Sequence, residues 1–265
     1  MQPLSTIPAG TWTSLCRRCR GIFSDIDDTL TEDGVLVTAA YEQLVRARVA
    51  GLRIVLVTGR PLGWAEVLAS LFPIDAAIAE NGAVAAFPGG RRLYYEDEPA
   101  RAAGNDRRRL AQERVRQELP QVKPASDQPL RDVDLAFDIG ETVTLPAKDI
   151  AQLVAVLESC GLSTTRSSIH LHGSYSRADK AKMAARVAAD LWNEPEASLR
   201  SDYIFVGDSP NDAPAFRFFE HSIGVANVAR HESALEALRA LPWAVTALRS
   251  GSGFAEAIAC LLAHK

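Results

Sequence analysis

The ten residues GIFSDIDDTL, at positions 21–30, decide how the rest of the sequence is interpreted. They begin with a short apolar run, which predicts a buried β-strand, and then give three acids within four residues. Residues i and i+2 of a strand point to the same side, so we expect Asp25 and Asp27 to project together from its carboxyl end. Two like charges so close are unfavourable unless a cation lies between them. A divalent cation held by oxygen ligands, such as Mg²⁺, would fill this need, and an acidic strand-to-loop junction without function is an equal alternative for this stretch alone.

The composition is that of an ordinary globular chain. Its 265 residues, 47% hydrophobic and 23% charged, are enough for one large α/β domain or for a core with a smaller partner domain. A formal net charge of −4 gives no reason to expect nucleic acid or an anionic membrane as a partner. Neither a signal peptide nor a membrane-spanning run is apparent, so the cytoplasm is the expected compartment.

Four cysteines are too few and too scattered for a disulfide framework. Cys16 and Cys19 form a single CxxC, whereas a structural zinc site needs four ligands and a redox motif is expected to follow a strand. We therefore expect two incidental thiols.

Strand and helix patterns alternate after the acidic stretch. The sequence predicts a helix over 38–50 with Thr38 as its cap, a strand over 52–57, a helix over 61–71 and a strand over 76–79. The predicted apolar stripe of the first helix consists of Tyr41, Leu44, Val45 and Val49. This alternation indicates a parallel sheet with crossover helices, in which ligands bind beyond the carboxyl ends of the strands.

The pattern changes after a predicted hairpin over 87–96. A charged helix over 102–119, a half-exposed strand over 133–138, a helix over 147–160 and strands over 164–166 and 168–172 follow. We interpret residues 97–172 as a small α+β domain inserted between the two parts of the core, 1–96 and 173–265.

The parallel pattern then resumes. A helix over 177–192 carries Lys180 in its first turn, with Met183, Val187 and Leu191 on its apolar stripe. Strands are predicted over 203–206 and 222–226, and two helices finish the chain. The predicted fold class is α/β: a Rossmann-like parallel-sheet core with an inserted small α+β cap domain.

Polar residues at the ends of these elements form a chemically coherent set: Asp25 and Asp27, Thr58, Lys180, and Asp208 with Asp212. Acids can hold a cation, a Thr hydroxyl and the Gly59 amide can bind phosphate oxygens, and Lys180 can neutralise the remaining charge. Phosphoryl transfer depends mainly on such positioning and charge stabilisation, and an Asp can be the nucleophile. Taken singly, Thr58 could be a helix cap, Lys180 a solvated lysine and Asp208–Asp212 an Asx-rich turn. Their joint occurrence favours the chemistry.

The order of these motifs resembles the haloacid dehalogenase superfamily of phosphatases. The resemblance covers residues 21–86 and 176–260, and its motifs are DIDDT at 25–29, TGR at 58–60, Lys180, and GDSPND at 207–212. The insertion after Asn81-Gly82-Ala83 and the segment Ser252-Gly253-Phe254 are similar to the Cof-like IIB branch with its type-2 cap. Asp28 departs from the family, which often has Gly there.

The resemblance implies a role for each matching residue. Asp25 would attack phosphorus, and Asp27 would protonate the leaving alkoxide and then help to activate water. Lys180 would neutralise Asp25 and the phosphate. Mg²⁺ would be held by the Asp25 carboxylate, the Asp27 backbone carbonyl and Asp208. Thr58 and Gly59 would bind phosphoryl oxygens. Asp212 would support the metal site, and Asn211 would orient nearby groups. Arg60 would brace the site.

Candidates in the insertion are weaker. The run Arg107–Arg109 could grip an anionic substrate, although a charged helix face is usually solvated. Four further polar side chains could contact substrate hydroxyls, although ordinary core or surface roles are also expected for them: Asp138, Glu141, His170 and His172. Asn81-Gly82 is most simply a tight turn, although its position near the hinge of the insertion leaves a role in substrate binding open.

The sequence thus predicts a Mg²⁺-dependent phosphomonoester hydrolase for a small sugar phosphate or related metabolite, with its oligomeric state open. A phosphotransferase or phosphomutase using the same aspartyl-phosphate is the first alternative. A signalling module that keeps its phosphate is the second, although such modules lack an acid two residues after the nucleophile and lack a cap. A silent binding protein would normally have lost an acid, and none is lost here.

Overall fold

The computed structural model describes residues 1–166 and 169–263. Within these residues the strands are β1 (Gln2–Pro3), β2 (Gly21–Ser24), β3 (Thr31–Glu32), β4 (Val35–Leu36), β5 (Arg53–Val57), β6 (Ala76–Ala79), β7 (Val84–Ala86), β8 (Arg92–Tyr94), β9 (Asp134–Asp138), β10 (Ser163–Arg166), β11 (His170–Ser174), β12 (Tyr203–Gly207), β13 (His221–Gly224) and β14 (Ala244–Val245). The α-helices are α1 (Ala9–Arg18), α2 (Thr38–Val49), α3 (Leu62–Leu71), α4 (Glu98–Glu118), α5 (Ala147–Ser159), α6 (Lys180–Trp192), α7 (Glu196–Asp202), α8 (Ala213–Phe218), α9 (Glu232–Ala237) and α10 (Ser250–Ala263).

The main sheet has nine strands within the described residues, in the order β1-β14-β13-β12-β2-β5-β6-β7-β8. The first seven strands in this spatial order, from β1 at the edge to β6, all pair in parallel. The hairpin of β7 and β8 then adds two antiparallel strands at the other edge. One face of the sheet packs on α1, α2, α3 and α10, and the other on α6 to α9. This arrangement confirms the predicted α/β class.

Strand β2 lies in the middle of this sheet, between β12 and β5. Its four residues are fully buried, with Ile22 in the apolar cluster of one face and Phe23 in that of the other. This burial on both faces is typical of a central parallel strand and explains why the run is continuously apolar. The position of β2 therefore brings the carboxyl ends of three neighbouring strands to the residues that follow Ser24.

A smaller antiparallel sheet, in the order β10-β11-β9, packs against α4 and α5. It lies in the predicted insertion, although β11 extends to Ser174, past the predicted boundary. The prediction that 133–138 is half-exposed is wrong, because all of β9 is buried. Asp134 and Asp138, on the polar side of this alternating strand, are buried because other protein groups supply their hydrogen bonds.

Helix α2 differs from its predicted orientation. Val49 is 84% exposed and Tyr41 and Val45 are each 37% exposed, whereas Leu44 is buried. The helix packs on α10 through a face that also contains two alanines, whose small side chains let the helices approach closely. The predicted cap is also wrong, since Thr38 is the first helical residue and Val37 precedes it without a side-chain cap.

The other predicted elements agree with the structure to within a few residues. Ser168, the predicted start of the last strand of the insertion, lies outside the described residues. The CxxC cysteines are buried, Cys16 in α1 and Cys19 directly after it. No helix in the described part of the chain combines the length and the apolar character needed to cross a membrane.

Candidate active site

Lys180 lies at the centre of a buried group of acids at the carboxyl edge of the main sheet. Its Nζ donates to Asp25 Oδ1 at 2.6 Å and to Asp212 Oδ1 at 2.5 Å. Asp208 completes the group, because one oxygen each of Asp25, Asp208 and Asp212 lie within 4.8 Å of one another. We refer to Asp25, Lys180, Asp208 and Asp212 as the Lys180 cluster. The structure thus brings together residues that are up to 187 positions apart in the sequence.

The start of α6 directs Lys180 into the cluster. Asp179 caps this helix by accepting hydrogen bonds from the backbone N–H groups of Ala181 and Lys182. The cap packs on the turn at Gly82, where an added Cβ would lie 2.4 Å from the Asp179 carbonyl oxygen. Gly82 also has a φ of +107°, so both its conformation and this close approach require glycine.

The loop after β12 fixes the other two acids. Asp212 Oδ2 accepts hydrogen bonds from the backbone N–H groups of Asp208 and Ser209, at 3.0 and 3.2 Å. Asp208 Oδ2 accepts from Asn227 Nδ2 at 2.9 Å, and the same nitrogen donates to the Asp28 carbonyl at 3.0 Å. Asn227 therefore ties the loop after β12 to the loop after β2.

The Lys180 cluster carries more negative than positive charge. Burial raises the pKa of Asp25 well above its usual range, and the neighbouring acids raise it further, while Lys180 lowers it. Burial alone would lower the pKa of Lys180, but Asp212 and Asp25 outweigh it and raise that pKa. Burial and the charge of Asp212 raise the pKa of Asp208 to about 7. The ammonium is therefore held charged, whereas the charges of Asp25 and Asp208 are only partly compensated.

This donor set fits a divalent cation. With three carboxylates and one ammonium, the cluster has an excess of two negative charges when all its groups are ionised. Its ligand atoms are hard carboxylate oxygens, which suit Mg²⁺. A bound cation reverses the effect that burial and like charge have on acid pKa values. In the described residues this is the one group of three or more acids, cysteines or histidines close enough to share an ion.

The turn Thr58–Arg60 follows β5, beside β2. Thr58 Oγ1 accepts from the Arg60 N–H at 2.9 Å, which leaves the hydroxyl hydrogen available for another acceptor. Within residues 1–166 and 169–263, the Gly59 N–H has no hydrogen-bond partner. A Cβ on Gly59 would lie 3.0 Å from Asn81 Oδ1, so a glycine fits this position best. The turn thus presents two donors that an anion could use.

Asp27 lies apart from the Lys180 cluster and pairs with Arg60. Arg60 Nε is 3.1 Å from both carboxylate oxygens, and Nη2 is 2.7 Å from Oδ1. The hydrogen bond to Asp27 is the largest influence on Arg60 and raises its pKa. The guanidinium also stacks on Trp64, with its Cζ atom 4.8 Å from the ring centroid. The Asp27 side chain is 43% exposed, which leaves it accessible to a ligand.

Asp28 has a φ of +55°. The haloacid dehalogenase superfamily, which this sequence resembles, often has glycine at this position. This left-handed conformation is easiest for glycine, and Asn and Asp tolerate it better than most other residues. The substitution is therefore compatible with the loop.

The weaker candidates mainly contact other groups of the insertion itself, as His172 does, whose Nδ1 is 3.0 Å from Asp134 Oδ2. His170 Nε2 is 3.0 Å from Glu141 Oε2, and Asp138 accepts hydrogen bonds from its own loop at residues 140–142. The arginine run is divided, since Arg108 donates to the Asp132 carbonyl whereas Arg107 and Arg109 are exposed. None of these contacts lies at the Lys180 cluster.

Sequence reasoning missed three residues that organise the site: Glu80, Arg131 and Asn227. Glu80 accepts four backbone N–H bonds, Arg131 donates to the Gly59 carbonyl, and Asn227 joins two loops. Each lies outside a periodic segment, and each acts through groups distant in the sequence. Asn81-Gly82, interpreted as a tight turn, is part of a 3₁₀ turn in which Glu80 and Asn81 have positive φ.

Comparison with known proteins places these residues in a wider context. Residues 22–104 match the family model of haloacid dehalogenase-like hydrolases. A phosphoglycolate phosphatase of Haloarcula marismortui is 28% identical over 240 residues, which cover 89% of this chain and 94% of that protein.

Solved structures share the fold. The sucrose-phosphatase of Synechocystis sp. PCC6803, solved with sucrose and phosphate, superimposes with a TM-score of 0.65 at 18% identity, covering 92% of this chain and 98% of that one. A sugar phosphatase of haloacid dehalogenase subclass IIB superimposes with a TM-score of 0.60 at 16% identity, covering 91% and 98%.

Proposed function

Because this chain is a haloacid dehalogenase-like phosphatase with the fold of subclass IIB, we propose that it hydrolyses phosphomonoesters with Mg²⁺ through an aspartyl-phosphate at Asp25. The substrate class that we propose is a small sugar phosphate or a related phosphorylated metabolite. The observation that carries the mechanism is the Lys180 ammonium between Asp25 and Asp212, with Asp208 beside them.

In the first step an Asp25 carboxylate oxygen attacks phosphorus as the bond from phosphorus to the ester oxygen breaks. The leaving alkoxide takes a proton from Asp27, whose partly exposed side chain can reach a ligand. Arg60 holds both oxygens of Asp27 and would have to release one of them for this transfer. Lys180 stays charged next to Asp25 and opposes the negative charge of the phosphoryl group as that group bonds to Asp25.

In the second step a water oxygen attacks phosphorus, and the bond between phosphorus and Asp25 breaks. Asp27, now a carboxylate, takes the proton of this water, so inorganic phosphate leaves and both acids return to their starting states. The Thr58 hydroxyl and the Gly59 N–H would donate to phosphoryl oxygens in both steps.

Asp25 and Asp208 would hold Mg²⁺ together with the Asp27 backbone carbonyl. When bound, the ion supplies positive charge that stabilises the phosphoryl oxygens during transfer. Asp212 would support this site indirectly, because its oxygens already accept hydrogen bonds from Lys180 and from two backbone amides. Asn211 Oδ1 accepts a hydrogen bond from Lys180 Nζ at 3.4 Å and would help to orient the ammonium group.

A panel of phosphomonoesters tests the function. It would contain sucrose phosphate and hexose phosphates, because of the structural neighbours, and 2-phosphoglycolate, because of the curated relative. We expect phosphate release that requires Mg²⁺, with one chemical class clearly preferred by kcat/KM. Folded, Mg²⁺-loaded protein that releases no phosphate from any ester would contradict the proposal.

The same panel separates hydrolysis from phosphotransfer. With excess glucose or glycerol as an acceptor, a hydrolase gives free phosphate, whereas a phosphotransferase or mutase gives a second phosphate ester. A phosphorylated protein that persists for minutes without product would instead indicate a signalling module.

With p-nitrophenyl phosphate, whose leaving group needs no proton, Asp27→Asn should release one equivalent of nitrophenol and then stall as phosphorylated Asp25.

A further inference from the structure

Each of the three carbonyl groups of the Thr58–Arg60 turn accepts a hydrogen bond. The Thr58 carbonyl accepts from the Asn81 N–H at 3.1 Å, and the Arg60 carbonyl from the Glu80 N–H at 2.9 Å. Both of these donors are backbone groups of one neighbouring turn. The Gly59 carbonyl instead accepts from a side chain, Arg131 Nη1, at 3.1 Å.

Arg131 comes from the segment predicted as the cap, 72 positions away from Gly59 in the sequence. Its side chain is 1% exposed and is held on both sides by carboxylates. Nε and Nη2 donate to the two oxygens of Asp127 at 3.1 and 3.0 Å, and Nη1 donates to Asp134 at 3.0 Å. The bidentate contact fixes the guanidinium plane, so the remaining direction of Nη1 is fixed as well.

The segment that carries Arg131 is itself bound to the main sheet. The buried carboxylate of Glu80 accepts from the backbone N–H groups of Asp132, Val133 and Asp134, at 2.7 to 2.8 Å. The same carboxylate accepts from the Leu62 N–H, in the first turn of α3, at 3.1 Å. Glu80 therefore holds the entry to β9 next to the turn.

The contact matters because Gly59 has no side chain to restrict its backbone. The peptide between Gly59 and Arg60 is held at both ends, by Arg131 at its carbonyl and by Thr58 Oγ1 at its N–H. Without Arg131, rotation of this peptide would cost little at a glycine and would disturb the Thr58 hydroxyl. A carbonyl oxygen turned toward a phosphoryl group would also repel it.

We propose that Arg131 is a positioning residue for phosphoryl transfer, supplied by the inserted segment, which fixes the Gly59–Arg60 peptide so that the turn presents donors and no acceptor to the phosphoryl group. This inference rests on the proposed function, because it assumes that the turn binds phosphoryl oxygens. It makes the insertion part of the catalytic geometry as well as a cover over the substrate.

The test compares Arg131→Lys with wild type. Lysine keeps the positive charge between Asp127 and Asp134 but cannot place donors on both acids and on Gly59 in one plane. We expect kcat to fall by about 10- to 100-fold, since small misplacements of a binding group have effects of that size. The dissociation constant of inorganic phosphate, measured by calorimetry with Mg²⁺ present, should rise by about tenfold.

Arg108→Gln is the matched control. Arg108 donates to the Asp132 carbonyl, in the same segment, and has no hydrogen bond to the Thr58–Arg60 turn. We expect this variant to lose stability while keeping kcat and phosphate affinity. An Arg131→Lys protein that is folded and equals wild type in both quantities would overturn the proposal. An equal loss of kcat and phosphate affinity in Arg108→Gln would overturn it too, because the role would then be general support of the insertion.

The phosphate titration keeps this inference separate from the proposed function. If wild type hydrolyses no ester, the proposed function fails, yet the dissociation constants of phosphate for wild type and Arg131→Lys can still be compared. A weaker phosphate complex of Arg131→Lys then supports the positioning role, and equal affinities contradict it.

Discussion

The Lys180 cluster can be compared with a second buried group, which we name the Arg131 cluster: Glu80, Asp127, Arg131, Asp134 and His172. Each contains three acids and one side chain, Lys180 or Arg131, whose pKa is raised by its acidic neighbours. In the Arg131 cluster the acids are satisfied by protein groups, because Glu80 accepts four backbone N–H bonds and Asp134 accepts from Arg131 and from His172. In the Lys180 cluster, by contrast, one carboxylate oxygen from each of the three acids lies within 4.8 Å of the other two.

The pKa of Asp134 expresses the same difference, although for Glu80, in the same cluster, burial and the charge of Asp134 raise the pKa. Burial would raise the pKa of Asp134, but Arg131 and His172 outweigh it and lower that pKa. In the Lys180 cluster burial prevails, so the pKa values of Asp25 and Asp208 are both raised. Acids that are fully hydrogen-bonded stabilise the fold, whereas incompletely compensated acids are suited to bind a cation and to react. Four predictions test or refine this comparison, from the largest expected effect to the smallest.

Replacement of the nucleophile should have the largest effect. Asp25→Asn is expected to lower kcat at least about 10⁴-fold, because the covalent route is lost. The variant should be at least as stable as wild type without Mg²⁺, since it removes a buried acid whose charge is poorly compensated. Phosphate release and urea unfolding measure the two quantities. Turnover near that of wild type would remove Asp25 from the mechanism.

Lys180→Gln should destabilise the fold strongly. It leaves Asp25 and Asp212 buried without their shared cation, and breaking a buried ion pair in this way costs about 3–5 kcal/mol. Urea unfolding in the presence of a chelator measures this loss. Asp25→Asn in the Lys180→Gln background should recover part of it, because fewer uncompensated charges then remain. A single Lys180→Gln variant as stable as wild type would contradict the charge balance described here.

Mg²⁺ should stabilise the Lys180 cluster and leave the Arg131 cluster unaffected. At a hundredfold excess over its dissociation constant, the ion is expected to raise the free energy of unfolding by about 3 kcal/mol. Asp208→Asn should lose this gain, whereas Asp127→Asn, in the Arg131 cluster, should keep it. Unfolding curves with Mg²⁺ and with a chelator give the comparison. Equal curves for the wild-type protein would argue against the metal site.

The smallest effect concerns pH. Burial and the charge of Asp134 raise the pKa of Glu80 to about 7 from 4.5, so the folded state binds more protons than the unfolded state between these values. The contribution of Glu80 to stability is therefore fully present below pH 4.5 and is lost as pH rises through 7.

Glu80→Gln removes this titration. The difference in free energy of unfolding between wild type and variant should be largest near pH 4.5 and should narrow by on the order of 2 kcal/mol by pH 8. Asp208 titrates in both proteins, so its contribution cancels in the difference. Urea unfolding across this pH range measures the change, and a difference that stays constant would contradict the shift.

The features that could be predicted are those that depend on patterns of neighbouring residues in the sequence. The apolar run of β2, the alternation of strands and helices and the motifs that end β2, β5 and β12 indicated both the fold class and the positions of Asp25, Thr58 and Asp208. The prediction of the buried face of α2 was wrong, because three of the four apolar residues in its predicted stripe are exposed. The face that is buried includes alanines, which carry little hydrophobic signal.

The sequence by itself determined that acids follow an apolar strand, since strand propensity is a property of neighbouring residues. It did not determine where Asp27 points, because β2 ends at Ser24 and Asp27, in the loop after it, pairs with Arg60. The tertiary structure alone decided which distant groups meet there. Strand order places β12 and β5 on either side of β2, and packing brings Lys180 to Asp25 across 155 positions and Arg131 to Gly59 across 72. Such contacts depend on how each charge is compensated once water is removed, and that compensation exists only after the chain has folded.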